Sequence, residues 1–436
     1  MEQITKPHCG ARLDRLPDCR WHSSMFAIVA FGLLVCWSNA VGGLILAQLK
    51  ALGWTDNSTT ATFSAITTAG MFLGALVGGI IGDKTGRRNA FILYEAIHIA
   101  SMVVGAFSPN MDFLIACRFV MGVGLGALLV TLFAGFTEYM PGRNRGTWSS
   151  RVSFIGNWSY PLCSLIAMGL TPLISAEWNW RVQLLIPAIL SLIATALAWR
   201  YFPESPRWLE SRGRYQEAEK VMRSIEEGVI RQTGKPLPPV VIADDGKAPQ
   251  AVPYSALLTG VLLKRVILGS CVLIAMNVVQ YTLINWLPTI FMTQGINLKD
   301  SIVLNTMSMF GAPFGIFIAM LVMDKIPRKT MGVGLLILIA VLGYIYSLQT
   351  SMLLITLIGF FLITFVYMYV CYASAVYVPE IWPTEAKLRG SGLANAVGRI
   401  SGIAAPYAVA VLLSSYGVTG NDSNLLIVFY VQIMPD

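Results

Sequence analysis

Glu95 and His98 stand three residues apart in the apolar run "FILYEAIHIASMVVGAF" (91–107). On a helix they share one face. A carboxyl and an imidazole so placed can exchange a proton, because histidine titrates near neutrality; the alternative is a hydrogen bond to a neighbouring helix, or a Glu95 that reaches back to the basic turn before it. Arg118 and Arg399 are also set in apolar sequence. A guanidinium there takes a carboxylate or an anionic solute in a two-pronged grip; for Arg399 the acids Glu380 and Glu385 are the competing partners. "NVVQYTLINWLP" (Asn277 to Pro288) offers Gln280, Tyr281, Asn285 and Trp286. Amides and a phenol read hydroxyl groups while an indole stacks on a C–H face, the combination a sugar needs. The competing role is polar glue between helices. Trp37 and Asn39 in the first apolar run, Asn157, Trp158 and Tyr160 further on, and Tyr367, Tyr369 and Tyr372 are weaker candidates, since Tyr and Trp at the ends of apolar runs are more often interface anchors.

Other chemistries find no support. The seven cysteines form no CxxC pair and no metal spacing, so no metal and no cofactor is expected. No GxxxxGK[ST] exists, which argues against an ATP-driven pump. No nucleophile–base constellation stands out, and an enzyme is not expected.

The elements that must position these residues are set by the solvent. The chain has 436 residues, 55% of them hydrophobic and 12% charged, with a mean hydropathy of +0.64. That charge content is about half the roughly 25% of soluble domains, and one core cannot hide so much apolar surface from water. A lipid bilayer is the expected surrounding. A helix crosses its core with about 20 apolar residues. Eleven windows qualify: 24–49, 58–81, 89–108, 111–139, 152–174, 182–202, 266–293, 302–323, 331–349, 352–378 and 392–415. A twelfth begins near residue 424 but is short before Pro435.

The net charge of +8 is laid out by topology, not as a nucleic-acid patch. With the N-terminus in the cytoplasm, 25 Lys and Arg fall on the inside and three, Lys50, Arg181 and Lys299, on the outside; positive charge marks the inside. The expected organisation is a cytoplasmic segment 1–23, a six-helix bundle 24–202, a cytoplasmic linker 203–264, and a second bundle 265–436 with an incomplete last helix. In the linker, Pro206 to Gly228 reads as an amphipathic helix whose apolar set is Trp208, Leu209, Ala218, Val221, Met222 and Ile225.

The two bundles repeat one another. Asp83, Arg87 and Arg88 recur as Asp324, Arg328 and Lys329, 241 residues later, and Glu138, Pro141 and Arg145 as Glu380, Pro383 and Lys387, 242 residues later. Two motifs at one offset indicate a parallel internal repeat. Asp83 ends a helix within reach of basic groups of its own loop or of a neighbouring span. Such pairs, with Asp324, Arg328, Lys329, Glu380 and Lys387 as their counterparts, can latch the two lobes on the cytoplasmic side and break as the lobes rock. The alternative is that these charges only fix topology and anchor to headgroups. Gly74 to Gly79 and Gly122, Gly124 and Gly126 are spaced for close helix approach.

These motifs carry a resemblance. "GDKTGRR" (82–88), "RFVMGVGLG" (118–126), "PESPRWL" (203–209) and "PEIWPTEAKLRG" (379–390) together resemble the major facilitator superfamily, and within it the sugar porter and metabolite/proton symporter branch, over roughly residues 20–420. The resemblance implies an all-α membrane protein of two pseudo-symmetric six-helix bundles. It implies a secondary carrier that moves a small hydrophilic metabolite, a sugar or sugar derivative, by alternating access, with a proton as its usual coupling ion and span 7 among its substrate contacts. A small carboxylate is the second substrate class, on account of Arg118 and Arg399. A monomer in a bacterial inner membrane is expected.

Two departures stand out. In that branch the first helix usually carries a buried Asp linked to proton coupling; here "LVCWSNAVGG" (34–43) supplies Ser38 and Asn39 and no acid. After Gly420, "GNDSNLLIVFYVQIMPD" matches neither a twelfth span nor a "PETKG"-like closing motif. A solute sensor that does not transport, or an inactive truncated product, is therefore the alternative of another class.

Overall fold

The computed structural model describes residues 7–17, 19–35, 40–141, 145–240, 254–293, 295–323, 325–349, 351–382 and 386–416. Among them the only regular structure is helical. The first half runs α1 (Cys9–Asp14), α2 (Arg20–Val35), α3 (Gly42–Ala51), α4 (Asn57–Thr85), α5 (Arg87–Ala106), α6 (Met111–Tyr139), α7 (Arg145–Asn157), α8 (Ser159–Leu170) and α9 (Ala176–Tyr201). Then come α10 (Pro206–Ser211), α11 (Tyr215–Thr233) and the single turn α12 (Tyr254–Leu257). The second half holds α13 (Gly260–Thr293), α14 (Leu298–Met309), α15 (Gly311–Val322), α16 (Arg328–Ser347), α17 (Met352–Cys371), a π-helical turn at Tyr372–Tyr377, α18 (Val378–Glu380) and α19 (Lys387–Tyr416).

Helix starts follow side-chain capping. Asp56 accepts the Thr59 N–H at 2.7 Å ahead of α4, Asn110 the Phe113 N–H at 2.9 Å ahead of α6, and Asn297 the Asp300 N–H at 2.9 Å ahead of α14; each satisfies a donor the helix leaves open. Gly86, at φ +97°, makes the tight reversal between α4 and α5 that few other residues tolerate.

All eleven windows fall on helices. Eight helical stretches are long and apolar enough to cross a membrane. The windows 24–49 and 152–174 are each carried by two shorter helices, α2 with α3 and α7 with α8. Lys387, Arg389, Asn395 and Arg399 dilute the apolar content of α19. The short twelfth window lies outside the described residues. Large apolar side chains face outward along the helices, Leu76, Ile80, Ile189, Leu192, Ile337 and Leu353 among them. Such a belt fits hydrocarbon and not water.

Glycines set the tightest helix contact. A Cβ at Gly74 would lie 2.1 Å from the Val123 carbonyl oxygen, and one at Gly126 2.1 Å from that of Met71. Backbone thus meets backbone between α4 and α6, as small residues allow. Gly124 turns instead toward α5, where a Cβ would stand 3.0 Å from the His98 nitrogen.

The two halves meet along α4 with α19, α3 with α13, and α8 with α14. At the end away from the linker the contact is closed. Ile302 of α14 is fully buried among Val41, Leu44 and Ile45 of the first half. Asn305 donates to Ser164 Oγ and Thr306 to the Ser164 carbonyl, each at 3.2 Å. Aromatic pairs continue the seam: Trp158 with Phe310 and Phe154 with Phe317.

The linker departs from a single helix over 206–228. Gly213, at φ +72°, divides it into α10 and α11. The expected apolar face is buried, and its partner is the chain's own N-terminal segment: Cys9, Leu13 and Leu16 pack on Trp208, Leu209, Ala218, Met222 and Ile225. Arg12 joins both Glu219 and Glu226, and Arg15 reaches Glu226 at 2.5 Å. Burial works against the Glu226 charge, but the hydrogen bonds from Arg12 and Arg15 outweigh it and hold this carboxyl below the usual range.

Candidate solute site and its surrounding ion pairs

Arg118 projects from the first third of α6 and is 1% exposed. Its guanidinium lies 4.6 Å over the Phe63 ring, a favourable cation–π arrangement. Nε donates to Thr67 Oγ1 at 3.3 Å and Nη1 to Met121 Sδ at 3.4 Å. On the other half, Asn285 of α13 is 4% exposed. The two side chains converge on one glycine: a Cβ at Gly42 would be 2.7 Å from Arg118 Nη2 and 3.6 Å from Asn285 Oδ1. The absence of a side chain at Gly42 is what lets α3 pass between them.

One turn along α13, Gln280 and Tyr281 form a second polar group. Gln280, Tyr160 of α8 and Tyr367 of α17 bring their polar ends within interaction range. The Tyr160 and Tyr367 rings meet edge to face at 5.4 Å. Tyr367 is 1% exposed, and its hydroxyl has no well-formed hydrogen bond among the described residues. Tyr281 rests against Gly402 of α19, where a Cβ would be 3.2 Å from its ring. Trp286 is fully buried with Ala61, Val409 and Ala410, its indole N–H unpaired among the described residues. Buried donors and acceptors without partners are costly unless something else satisfies them.

The chain's motifs match the family model described as Major Facilitator Superfamily over residues 25–406. The chain belongs to the major facilitator superfamily. It is a multi-pass membrane transporter and not an enzyme. It is 44% identical over 420 residues to the inner membrane metabolite transport protein YdjE of Escherichia coli K12, covering 96% of this chain and 92% of that protein. The niacin transporter NiaP of Acinetobacter baylyi is 25% identical over 410 residues, 93% of this chain and 90% of that one. The fold is that of the xylose transporter XylE of E. coli in a partially occluded inward-open conformation: TM-score 0.70 at 18% identity, over 96% of this chain and 98% of that chain. The two six-helix halves expected of the superfamily are thus the architecture here.

Other sequence candidates are placed as follows. Asn157 turns its amide back onto the Ser153 carbonyl at 2.8 Å, which spends it within its own helix. Arg399 is half-buried, and Glu380, one of its expected partners, is held by Arg328. Glu95 and His98 are both fully buried, with His98 Nδ1 3.5 Å from Glu95 Oε2; Glu95 does not reach back to the basic turn. Trp37, Asn39 and Asp324 lie outside the described residues, as does Glu385, and nothing is said of the side chains of Arg145 and Lys387.

The transporter's charged turns bind within halves, not across them. Arg87 pairs with Asp83 at 2.7 Å and with Glu138 at 2.9 Å, joining α4, α5 and α6. Arg328 pairs with Glu380 at 2.9 Å. Among the described residues each pair lies in one half, so the expected latch between lobes is instead a brace inside each. The reason is reach: Glu138 ends the helix beside Arg87's own, whereas the other half is farther away.

A group that sequence reasoning missed completes this brace. Glu204, from "PESPRWL", accepts the N–H groups of Arg87 at 2.7 Å and Arg88 at 3.3 Å through Oε1. A carboxylate at the start of α5 suits the positive end of that helix. A Cβ at Gly86 would be 2.3 Å from Glu204 Oε2, so the glycine makes room for it. Burial pushes the Glu204 carboxyl up, against the pull of the backbone N–H groups.

Proposed function

We propose that this transporter moves a small hydrophilic, hydroxyl-bearing metabolite of the sugar class across a bacterial inner membrane. It does so by alternating access, with the N-terminus and linker in the cytoplasm. The carrying observation is the convergence of Gln280, Tyr160 and Tyr367 from three helices of both halves. Such amide and phenol groups exchange hydrogen bonds with hydroxyls, and the rings beside them offer stacking faces. Binding between two halves lets solute change which faces of them are held together, which is the energetic requirement for a moving carrier. The 25 to three split of basic residues supports the orientation.

A small carboxylate is the second reading, favoured by the buried guanidinium of Arg118 beside Asn285. Niacin, named for one relative, is such an acid. The test is thermal unfolding of the purified protein against D-xylose, D-glucose, myo-inositol, D-gluconate and nicotinate. The sugar reading expects neutral polyols to raise the midpoint, and that rise to vanish in Gln280→Ala. Stabilisation by gluconate and nicotinate alone, lost in Arg118→Ala, selects the carboxylate.

A further inference from the structure

We propose that Glu95 and His98 form a proton-binding site that couples the carrier's conformation to pH; this rests on the reading of the chain as a moving carrier. Both side chains are fully buried at mid-helix in α5, 3.5 Å apart. Neither carboxyl oxygen of Glu95 makes a hydrogen bond among the described residues. The pair is neutral when it shares one proton, and carries a buried net charge when it holds none or two. A buried net charge without partners is unfavourable, so this packing favours one shared proton.

The surroundings supply no other charge at that level. The helices packed against α5 are α4, α6 and α9. On α4, residues 58–81 carry no charge, and the Gly78 carbonyl accepts from Tyr94 at 2.8 Å; Asp83 and Lys84 lie beyond, at the linker end. On α6, Gly124 abuts His98. Cys117 and Arg118 lie about 9 Å or more along that helix toward the far end, with Asp112 beyond them, and Glu138 and Tyr139 stand at the linker end. On α9, residues 182–199 have no ionisable group, while Glu177 and Arg181 sit at one end and Arg200 and Tyr201 at the other. The Ser191 hydroxyl in that stretch is buried and also unpaired. On α2, Gly32 faces Phe91 at 3.8 Å and residues 24–35 are uncharged.

Proton loss from the pair therefore calls for a rearrangement of α5 against α6 and α9 that admits water or a donor. The packing seen here accompanies closed far ends of the two halves, sealed by Ile302 and by the Ser164 bonds to Asn305 and Thr306. Protonation then favours the far-end-closed state, and deprotonation releases it. The first helix need not carry an acid for a proton to be counted in the cycle.

The experiment needs no solute. Leu173 and Lys299, exposed on opposite halves at the far end, are replaced (Leu173→Cys, Lys299→Cys) in a full-length chain lacking its native cysteines. Spin labels there report the far-end distance from about pH 5 to about pH 9. The expected result is a distance that lengthens as pH rises, a response lost in Glu95→Gln, which stays closed throughout. His98→Asn, a second variant in case the first folds poorly, shifts the midpoint. A pH response that survives both substitutions overturns the site, as does its absence from the parent protein. Solute exchange by a protein whose far-end distance ignores pH would leave the transport reading intact and remove only the proton site.

Discussion

Arg328 grips Glu380 with two hydrogen bonds, 2.9 Å from Nε and 3.0 Å from Nη2, and so repeats in the second half the contact of Arg87 with Glu138 in the first. The sequence repeat is thus a repeat of one physical device, a guanidinium tying a loop to the end of a helix two spans away. The copies differ in burial. The Glu138 and Arg87 side chains are 21% and 17% exposed, those of Glu380 and Arg328 49% and 30%.

That difference sets a graded stability prediction. Exposed ion pairs contribute about 0–1 kcal/mol, and Glu380→Gln should lower the unfolding midpoint little. Glu138→Gln leaves a more enclosed guanidinium with one partner fewer and should cost more, about 1–3 kcal/mol. Thermal unfolding of both variants in detergent checks the order.

The contact of α4 with α6 predicts opposite outcomes for neighbouring glycines. Gly126→Ala drives a methyl into the Met71 backbone, 2.1 Å from its carbonyl oxygen. The helices must separate, at a cost of about 1–3 kcal/mol or more. Gly79 faces open space, and Gly79→Ala should be neutral or stabilise by about 0.5–1 kcal/mol. The yield of monodisperse protein after mild heating separates the two.

Docking of the N-terminal segment should resist mild acid. The Glu226 carboxyl is held below its usual range by Arg12 and Arg15 against the effect of burial. A lowered folded-state pKa gives stability that is present above the unfolded value of about 4.3 and lost as pH falls through the folded one. Hydrogen exchange in residues 9–16 should stay slow at about pH 5 and quicken only well below about pH 4. In Arg12→Ala the same amides should exchange fast at neutral pH.

The apolar windows, the repeat offset and the close-approach glycines were readable because each is a pattern along the chain: about 20 residues of one polarity, two charge motifs at one spacing, small residues one turn apart. What was not readable depends on long closures. Glu204 reaches Arg87 across 117 positions, and no local spacing reveals that a carboxylate after α9 will cap α5. The N-terminal segment read as a polar leader, yet Cys9, Leu13 and Leu16 cover the apolar face of α11; three apolar side chains are too few to show as a periodic run. Gln280, Tyr281, Asn285 and Trp286 were legible as polar or aromatic residues in an apolar span. Their partners Tyr160 and Tyr367 were visible only as weaker candidates, since an aromatic residue in such a span is usually a packing or interface group.

The Gly42 gap predicts the importance of Arg118's placement. Gly42→Ala puts a methyl 2.7 Å from Nη2 and must displace the guanidinium. If Arg118 and Asn285 hold solute, this variant should weaken binding about tenfold or more, as loss of about 1.4 kcal/mol implies, with little change in unfolding temperature. Calorimetric titration with whichever compound of the panel stabilises the parent protein measures it.

The central claim is that the two halves carry solute across the bilayer between them. Counterflow in proteoliposomes tests it most directly, with radiolabelled D-xylose, D-gluconate and nicotinate outside and the same compound unlabelled inside. The account predicts transient accumulation of label for at least one of them, reduced at least about tenfold in Gln280→Ala or Arg118→Ala. Saturable binding of a compound in detergent with no exchange in vesicles would contradict it, and would make the protein a receptor and not a carrier.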